Sequence, residues 1–309
     1  MGIVTALKTI IALYRLKIES PKEIIIHRIN KFLYGQNRAF EIKRQNRREH
    51  LKKKYLKDGI WDFNGVKLPD YKDDYIQGRL ISYVYMDTLF VYCNYNDNYN
   101  SKLVDLLDIC LGEGTYGYKN DKIDVTVKNG DVVIDAGAWI GDFSAYASVK
   151  GAEVYAFEPS KTTIEYLKIT QQLNKNIHIV EKGLGNRTEF SFLSSDLSNS
   201  GSNKITIETN HSEKIEITTI DDFVAEQQLT RVDFIKADIE GFERYMLEGA
   251  SKTLKIFAPK IAVCTYHLPD DPEILAKIIL DANPNYTIVQ KKKKLYAMVN
   301  KQKTELCKD

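Results

Sequence analysis

Along this chain the spacing of apolar residues switches repeatedly between two periods, and the switching is most regular after Asp131. "VVIDAG" is a short apolar run ending in Asp135 and Gly137, the pattern of a strand buried on both faces. "IGDFSAYASVKG" predicts a helix closed by Gly151, and "AEVYAFEP" a second strand. "SKTTIEYLKITQQLN" predicts a helix with Ser160 placed to cap it, and "IHIVEKG" a third strand. Polar strands are expected in "TEFSFL", "NKITIET" and "KIEITTI", around the loop "SSDLSNSGSN", followed by a short helix in "DDFVAEQQ". "VDFIKADIEG" reads as a fourth strand, "FERYMLEGASKTLK" as a helix and "KIAVCTYH" as a fifth strand. "DPEILAKIILDAN" is a last helix, and "NYTIVQKKKKLYAMVN" two strands folded back on each other. Strands alternating with helices predict an α/β fold, a doubly wound and mostly parallel sheet covered on both faces. The terminal hairpin would add one antiparallel strand.

Before Asp131 the pattern is different. Residues 3–18 and 21–57 read as helices, the second carrying the basic face "KRQNRREHLKKKYLK". Residues 60–100 are rich in Tyr, Asp and Asn; "LVDLLDICLG" continues as a helix, and "TYGYKNDKIDVTVKNGD" as short strands with a turn at "KNGD". This divides the chain into a helical, basic N-terminal region (1–110), an α/β domain (111–301) and a tail (302–309). Charge sharpens the division. Residues 1–60 hold 15 Lys and Arg against 5 Asp and Glu, whereas the whole chain of 309 residues is only +2, so the remainder is net acidic. Cys93, Cys110, Cys264 and Cys307 lie far apart with no CxxC spacing, which excludes a readable zinc knuckle or redox pair and fits a reducing, cytoplasmic compartment. No run of about 18 apolar residues predicts a spanning helix. The opening "MGIVTALKTIIALYRLKI" has Lys8 in its middle and reads as an amphipathic helix, not a signal peptide; Ala6 breaks the myristoylation pattern.

In a doubly wound sheet, ligands bind beyond the carboxyl ends of the strands, near the point where strand order reverses. The residues there are Asp135, Glu158, Gly183, Asp238 and His267. "DAGAWIG" lacks the middle glycine of a dinucleotide fingerprint and the Gly-Lys-Ser/Thr of a P-loop, and Asp135 at the strand tip repels phosphate. A nucleoside with a cationic amino group, such as S-adenosylmethionine, fits better: Asp135 faces the ammonium, Gly137 lets backbone come close, and Glu158 accepts from both ribose hydroxyls. Glu158 alone serves NAD equally well. Asp238, Glu240 and Glu243 cluster in "KADIEGFE", a set able to deprotonate a hydroxyl, bind a divalent metal or contact a cation; the alternative puts Glu243 on a solvated helix face and Glu240 at its cap. His267, at a strand tip in "CTYHLPDD", is placed to be a general base, unlike His27, His50, His178 and His211. A metal held by His267, Asp238 and Glu240 is conceivable, but no tight ligand spacing demands one, and none is expected.

"GDVVIDAGAWIGDFS", "VYAFEPS", "TTIDDF", "VDFIKADIEGFE" and "CTYHLPDD", in this order, resemble the FkbM-type methyltransferases, of the class I, S-adenosylmethionine-dependent, Rossmann-like group. The resemblance covers residues 112–300. It implies a seven-stranded sheet with the last strand antiparallel, and methyl transfer to a hydroxyl of a sugar, glycan or small natural product. Asp135, Gly137, Ala138 and Gly141 match the first cofactor motif, Glu158 the ribose-binding acid, and Gly183 and Leu184 the loop bordering the adenine. Where the family commonly has Asn in the turn, this chain has Trp139.

Methyl transfer displaces at an already activated sulfonium carbon, so the protein positions the acceptor and removes its proton. His267 or Asp238 is the expected base, with Glu240 orienting the acceptor or a metal. The acceptor is a small molecule or a glycan, lipid-linked if the basic N-terminus meets an anionic membrane surface. The bland reading of that segment is a helical cap or a dimer contact, so an oligomer is compatible with it. No nucleic acid partner is expected, since no recognition module accompanies "KRQNRREHLKKK". Two rival functions stand beside this one. An NAD-dependent sugar oxidoreductase or epimerase is opposed by the glycine pattern. A non-catalytic scaffold in polysaccharide assembly is opposed by the retained acids.

Overall fold

A computed structural model describes residues 53, 55–63, 65–70, 116–194, 205–206, 212–291 and 293–300 of the chain. The helices expected over 3–18 and at "LVDLLDICLG" lie outside these residues, as does nearly all of the one over 21–57. That helix ends before Leu56, where a strand begins. β1 (Leu56–Lys57), β2 (Ile60–Phe63) and β3 (Val66–Pro69) form an antiparallel sheet in that order. Asp58 and Gly59 both have positive φ, 52° and 76°, the backbone twist that joins two strands through a two-residue turn. β4 (Tyr118–Lys119) and β5 (Asp124–Val125) make a small antiparallel ladder.

The alternating region runs β6 (Val132–Ala136), α1 (Asp142–Val149), β7 (Glu153–Phe157), α2 (Lys161–Leu173) and β8 (Ile177–Val180). The polar strands β9 (Gly183–Leu184), β10 (Glu189–Ser194), β11 (Ile205–Thr206) and β12 (Ser212–Thr218) form their own sheet in the order β11-β10-β12-β9. Then come α3 (Ile220–Glu226), β13 (Phe234–Ala237), α4 (Glu243–Glu248), α5 (Ser251–Ile256), β14 (Lys260–Cys264), α6 (Asp271–Ala282), β15 (Tyr286–Lys291) and β16 (Lys294–Val299). The central sheet has seven strands in the order β15-β16-β14-β13-β6-β7-β8, and only β16 runs antiparallel to its neighbours. After β6 the chain builds toward one edge through β7 and β8. At β13 it returns to the other side of β6, so strand order reverses between β6 and β13.

Two-residue periodicity distributes the core. Val133, Phe234, Ala262 and Tyr296 face one side of the sheet with Phe143 and Tyr146 of α1; Ile134, Ile235, Val263 and Leu295 face the other with Leu247, Leu254 and Leu275. β3 lies against α1 and α2, and Trp61, Val66 and Leu68 join the first of these cores. The small N-terminal sheet is therefore part of the outer layer over α1 and α2.

Two local expectations change. Ser160 occupies the N-cap of α2, but its hydroxyl makes no cap bond; its backbone N–H donates to Glu158 at 3.0 Å. The helix expected over "FERYMLEGASKTLK" is broken into α4 and α5. The Gly249 carbonyl accepts from Asp221 N at 3.0 Å, and the Asp221 carboxylate accepts from the N–H groups of Lys252 and Thr253. One side chain from α3 thus starts a new helix where the old one would have continued. Thr219 caps α3 in the ordinary way, accepting from Asp222 N at 2.9 Å.

Candidate active site

The turn after β6 folds back over β7. Gly137 N and Ala138 N both donate to the Phe157 carbonyl, at 3.1 and 2.9 Å. Gly137 has φ 73°, and a Cβ there would stand 2.1 Å from the Asp238 carbonyl oxygen. The close approach this glycine permits is to the end of β13, so it locks the two strand ends that flank the reversal point together. Gly141, with φ 84°, gives way to the Leu167 side chain of α2. Trp139, at φ 50°, turns its N–H onto Glu158 Oε2 at 3.0 Å, while Oε1 takes the Ser160 N–H. Burial pushes the Glu158 carboxyl up to about 7, against the pull of those two N–H groups and of Lys236.

Asp135 is fully buried. Its Oδ1 lies 2.9 Å from Lys236 Nζ, and its Oδ2 accepts from Ser144 Oγ at 2.6 Å. The two residues are register partners on β6 and β13. Lys236 also donates to the Gly137 carbonyl at 2.7 Å, so the ion pair braces the glycine turn from below. Burial alone would depress the Lys236 ammonium. The carboxylates of Asp135, Asp238 and Asp142 outweigh it and hold its pKa above the ordinary lysine value. Asp142, at the start of α1, is raised to about 6 by the same burial.

One strand over, three side chains converge. His267 Nε2 is 3.6 Å from Asp238 Oδ1 and 3.6 Å from Glu240 Oε2. His267 Nδ1 is 2.9 Å from Glu243 Oε1. Glu243 does not face solvent: its side chain is completely buried and accepts from Ile239 N at 2.9 Å and Gly241 N at 3.0 Å. These bonds hold Glu240 at φ 54° and Gly241 at φ 103°, left-handed geometry that is uncommon for a glutamate. Asp238 Oδ2 accepts from Tyr116 Oη at 2.5 Å, and Oδ1 from Tyr266 Oη at 3.1 Å. Burial would raise the Asp238 carboxyl, but Lys236, Lys294, the Tyr116 hydroxyl and His267 keep it below the usual carboxylate range. Burial likewise works against the imidazolium, yet Glu243, Asp238 and Glu240 raise the His267 pKa.

The structure thus brings Asp135, Gly137, Ala138, Gly141 and Glu158 to one turn, and Asp238, Glu240 and His267 to its neighbour. Leu184 is buried in the core with Phe157 and Phe223, at the start of the polar sheet. His178, by contrast, lies half-exposed beside the Glu153 carboxylate, far from these residues in the sheet register. Three side chains at the site escape a reading of motifs, Lys236, Tyr116 and Tyr266, and Glu243 is buried where the alternative reading put it in solvent. Lys236 alone left a signal, a charge inside the otherwise apolar strand "FIKA". Among the described residues no helix is long and apolar enough to cross a membrane.

Known proteins resemble this chain. Residues 135–287 match the family described as methyltransferase FkbM domain. Hexuronic acid methyltransferase AglP from Haloferax volcanii is 26% identical over 156 residues, covering 49% of this chain and 62% of that protein. The crystal structure of methyltransferase FkbM from Methylobacillus flagellatus shares 21% identity, covering 72% of this chain and 62% of its own, with a TM-score of 0.45. Fibrillarin from Aeropyrum pernix, solved with S-adenosyl-L-methionine, shares 13% identity over 57% of this chain and 70% of its own, with a TM-score of 0.37. The chain therefore spans less than two thirds of the length of the first two relatives.

Proposed function

Taking this chain as a member of the FkbM methyltransferases, we propose that it moves the methyl group of S-adenosylmethionine to a hydroxyl of a sugar or glycan. The observation that carries the proposal is the adjacency of two strand ends. The glycine turn of β6 and the Asp238–Glu240–His267 trio flank the one place where strand order reverses, and Gly137 touches Asp238 directly. Glu158, fixed by two N–H groups, keeps lone pairs for ribose hydroxyls. Asp135 is already paired with Lys236, so its part is to shape the turn, with any reach to the cofactor's ammonium passing through water. Ala138 and Gly141 leave the turn without side chains that would fill it, and Leu184 supports the adenine edge from the core.

The acceptor oxygen attacks the methyl carbon in line. Its lone pair forms the O–C bond, the C–S pair returns to sulfur, and S-adenosylhomocysteine leaves. The acceptor's proton is lost at the trio, which stands beside the turn. A hexuronic acid is the acceptor named for AglP, which favours a glycan here. The basic segment before β1 is proposed to hold the protein against an anionic, glycan-bearing membrane.

Calorimetric titration of the full chain with S-adenosylhomocysteine, beside NAD and repeated on Glu158→Ala, tests the reading. Micromolar binding of the former, weakened by the substitution, is expected. Binding of NAD instead would support the oxidoreductase, and binding of neither the scaffold.

A further inference from the structure

The trio is more than a set of proton acceptors. We propose that Asp238, Glu240 and His267 bind one first-row divalent cation, Mn²⁺ or Zn²⁺, through Oδ1, Oε2 and Nε2. This departs from the expectation of the sequence, where the ligand spacing suggested no metal.

The two separations from the imidazole suit an ion. Nε2 stands 3.6 Å from each carboxylate oxygen, too far for hydrogen bonds. An ion about 2.1 to 2.2 Å from such a pair would see them roughly 110 to 120° apart, an open coordination angle. His267 supplies the second observation. Its side chain is only 5% exposed, and both ring nitrogens are buried polar atoms without a hydrogen-bond partner, Nε2 being the one aimed between two carboxylates. Such an atom costs free energy unless something fills the space before it. On the far edge of the ring, Glu243 stands 2.9 Å from Nδ1, the outer carboxylate that metal-bound imidazoles characteristically have. Tyr116 plays the same part for Asp238, holding Oδ2 so that Oδ1 faces His267. Tyr266 donates to that same Oδ1, which has two lone pairs to share.

Charge points the same way. Asp238, Glu240 and Glu243 all face one imidazole. An imidazole ligand selects Mn²⁺ or Zn²⁺ over Mg²⁺ and Ca²⁺, which take oxygen almost alone. Three protein ligands leave positions open for two neighbouring hydroxyls of a sugar. Coordination lowers the pKa of the bound hydroxyl, whose proton passes to solvent water as the O–CH₃ bond forms and the S–CH₃ bond breaks. This step rests on the methyltransferase reading, whereas cation binding itself does not.

The test uses the full chain, stripped with a chelator and titrated with MnCl₂ while electron paramagnetic resonance counts free Mn²⁺. One bound ion per chain is expected, displaced by ZnCl₂. Glu240→Gln and His267→Gln should each weaken it by about tenfold or more, and Glu243→Gln by roughly tenfold through the ring it orients. S-adenosylhomocysteine affinity, unchanged in these variants, shows that they are folded. Spin-echo modulation from a coordinated imidazole nitrogen, expected in the unaltered protein, decides the matter without any substitution. Absence of that modulation, or of stoichiometric binding, overturns the proposal. Mn²⁺ binding without S-adenosylhomocysteine binding would defeat the methyltransferase reading and leave the cation site standing.

Discussion

Lys236 carries its charge with only 4% of its surface exposed, which is tolerable because Asp135 lies 2.9 Å away and two backbone carbonyls accept from the same ammonium. Removing one partner strands the other. Lys236→Met should therefore cost about 3 to 5 kcal/mol in denaturant unfolding, and adding Asp135→Asn to it should recover part of the loss. Additive losses would show that the pair is not coupled. Glu158 gives a prediction in pH. Its carboxyl titrates at about 7 in the native state, above the value of about 4.3 for an unfolded glutamate. Between those values the native state binds more protons than the unfolded chain, so stability falls as pH rises through that window. Asp142, at about 6, acts in the same direction. Ribose hydroxyls would donate to the ionised carboxylate, so S-adenosylhomocysteine should bind more tightly as pH rises from about 5.5 to 8. Glu158→Gln should flatten the affinity trend and leave in the stability trend only the part that Asp142 carries below about 6; a flat affinity profile in the unaltered protein would remove Glu158 from cofactor binding.

At the scale of elements, glycines in similar backbone geometry have unequal worth. Gly137 meets the carbonyl of Asp238, which cannot move without displacing β13, whereas Gly141 meets the tip of the Leu167 side chain. Gly137→Ala should cost about 3 kcal/mol or more, and Gly141→Ala roughly 1 to 2 kcal/mol, measured as shifts in the denaturant midpoint. Equal losses would mean that the β6 turn and β13 are not locked together. The seven strands were what the resemblance to the FkbM methyltransferases implied, and the strands and helices after Asp131 were legible because each buries a face with its own period. The Asp135–Lys236 pair was not, since it needs β6 beside β13, residues 101 positions apart, in a register that no local pattern encodes. That Glu243, named with its neighbours in the acidic cluster, would be buried was equally hidden. Its burial depends on a left-handed backbone at Glu240, and a six-residue helix is too short to show which side is wet. β2 and β3 did leave a signal, because "FNGV" pairs Asn-Gly with alternating flanks. The basic helical pattern running up to 57 obscured it.

Across the whole molecule, the three strands β1 to β3 tie the start of the chain to the α/β body. Trp61 is 2% exposed within the core that also holds Phe143 and Tyr146, and Asn174, just past the end of α2, bonds both the N–H and the carbonyl of Lys67. A deletion that reached into these strands would remove core as well as charge, and could not isolate what the basic segment does. Cutting at residue 52 leaves them whole and removes most of the excess of Lys and Arg in residues 1–60. The truncated chain should keep its S-adenosylhomocysteine affinity, because β1 to β3 stay in place against α1 and α2 and neither the glycine turn nor Glu158 is removed. It should lose sedimentation with vesicles containing anionic lipid. In the full chain that sedimentation should fall steeply between low and physiological salt, as charge attraction is screened. Vesicle binding that survives the cut would place the attraction on the acidic body, where charge opposes it, and would end the membrane role of the N-terminal segment.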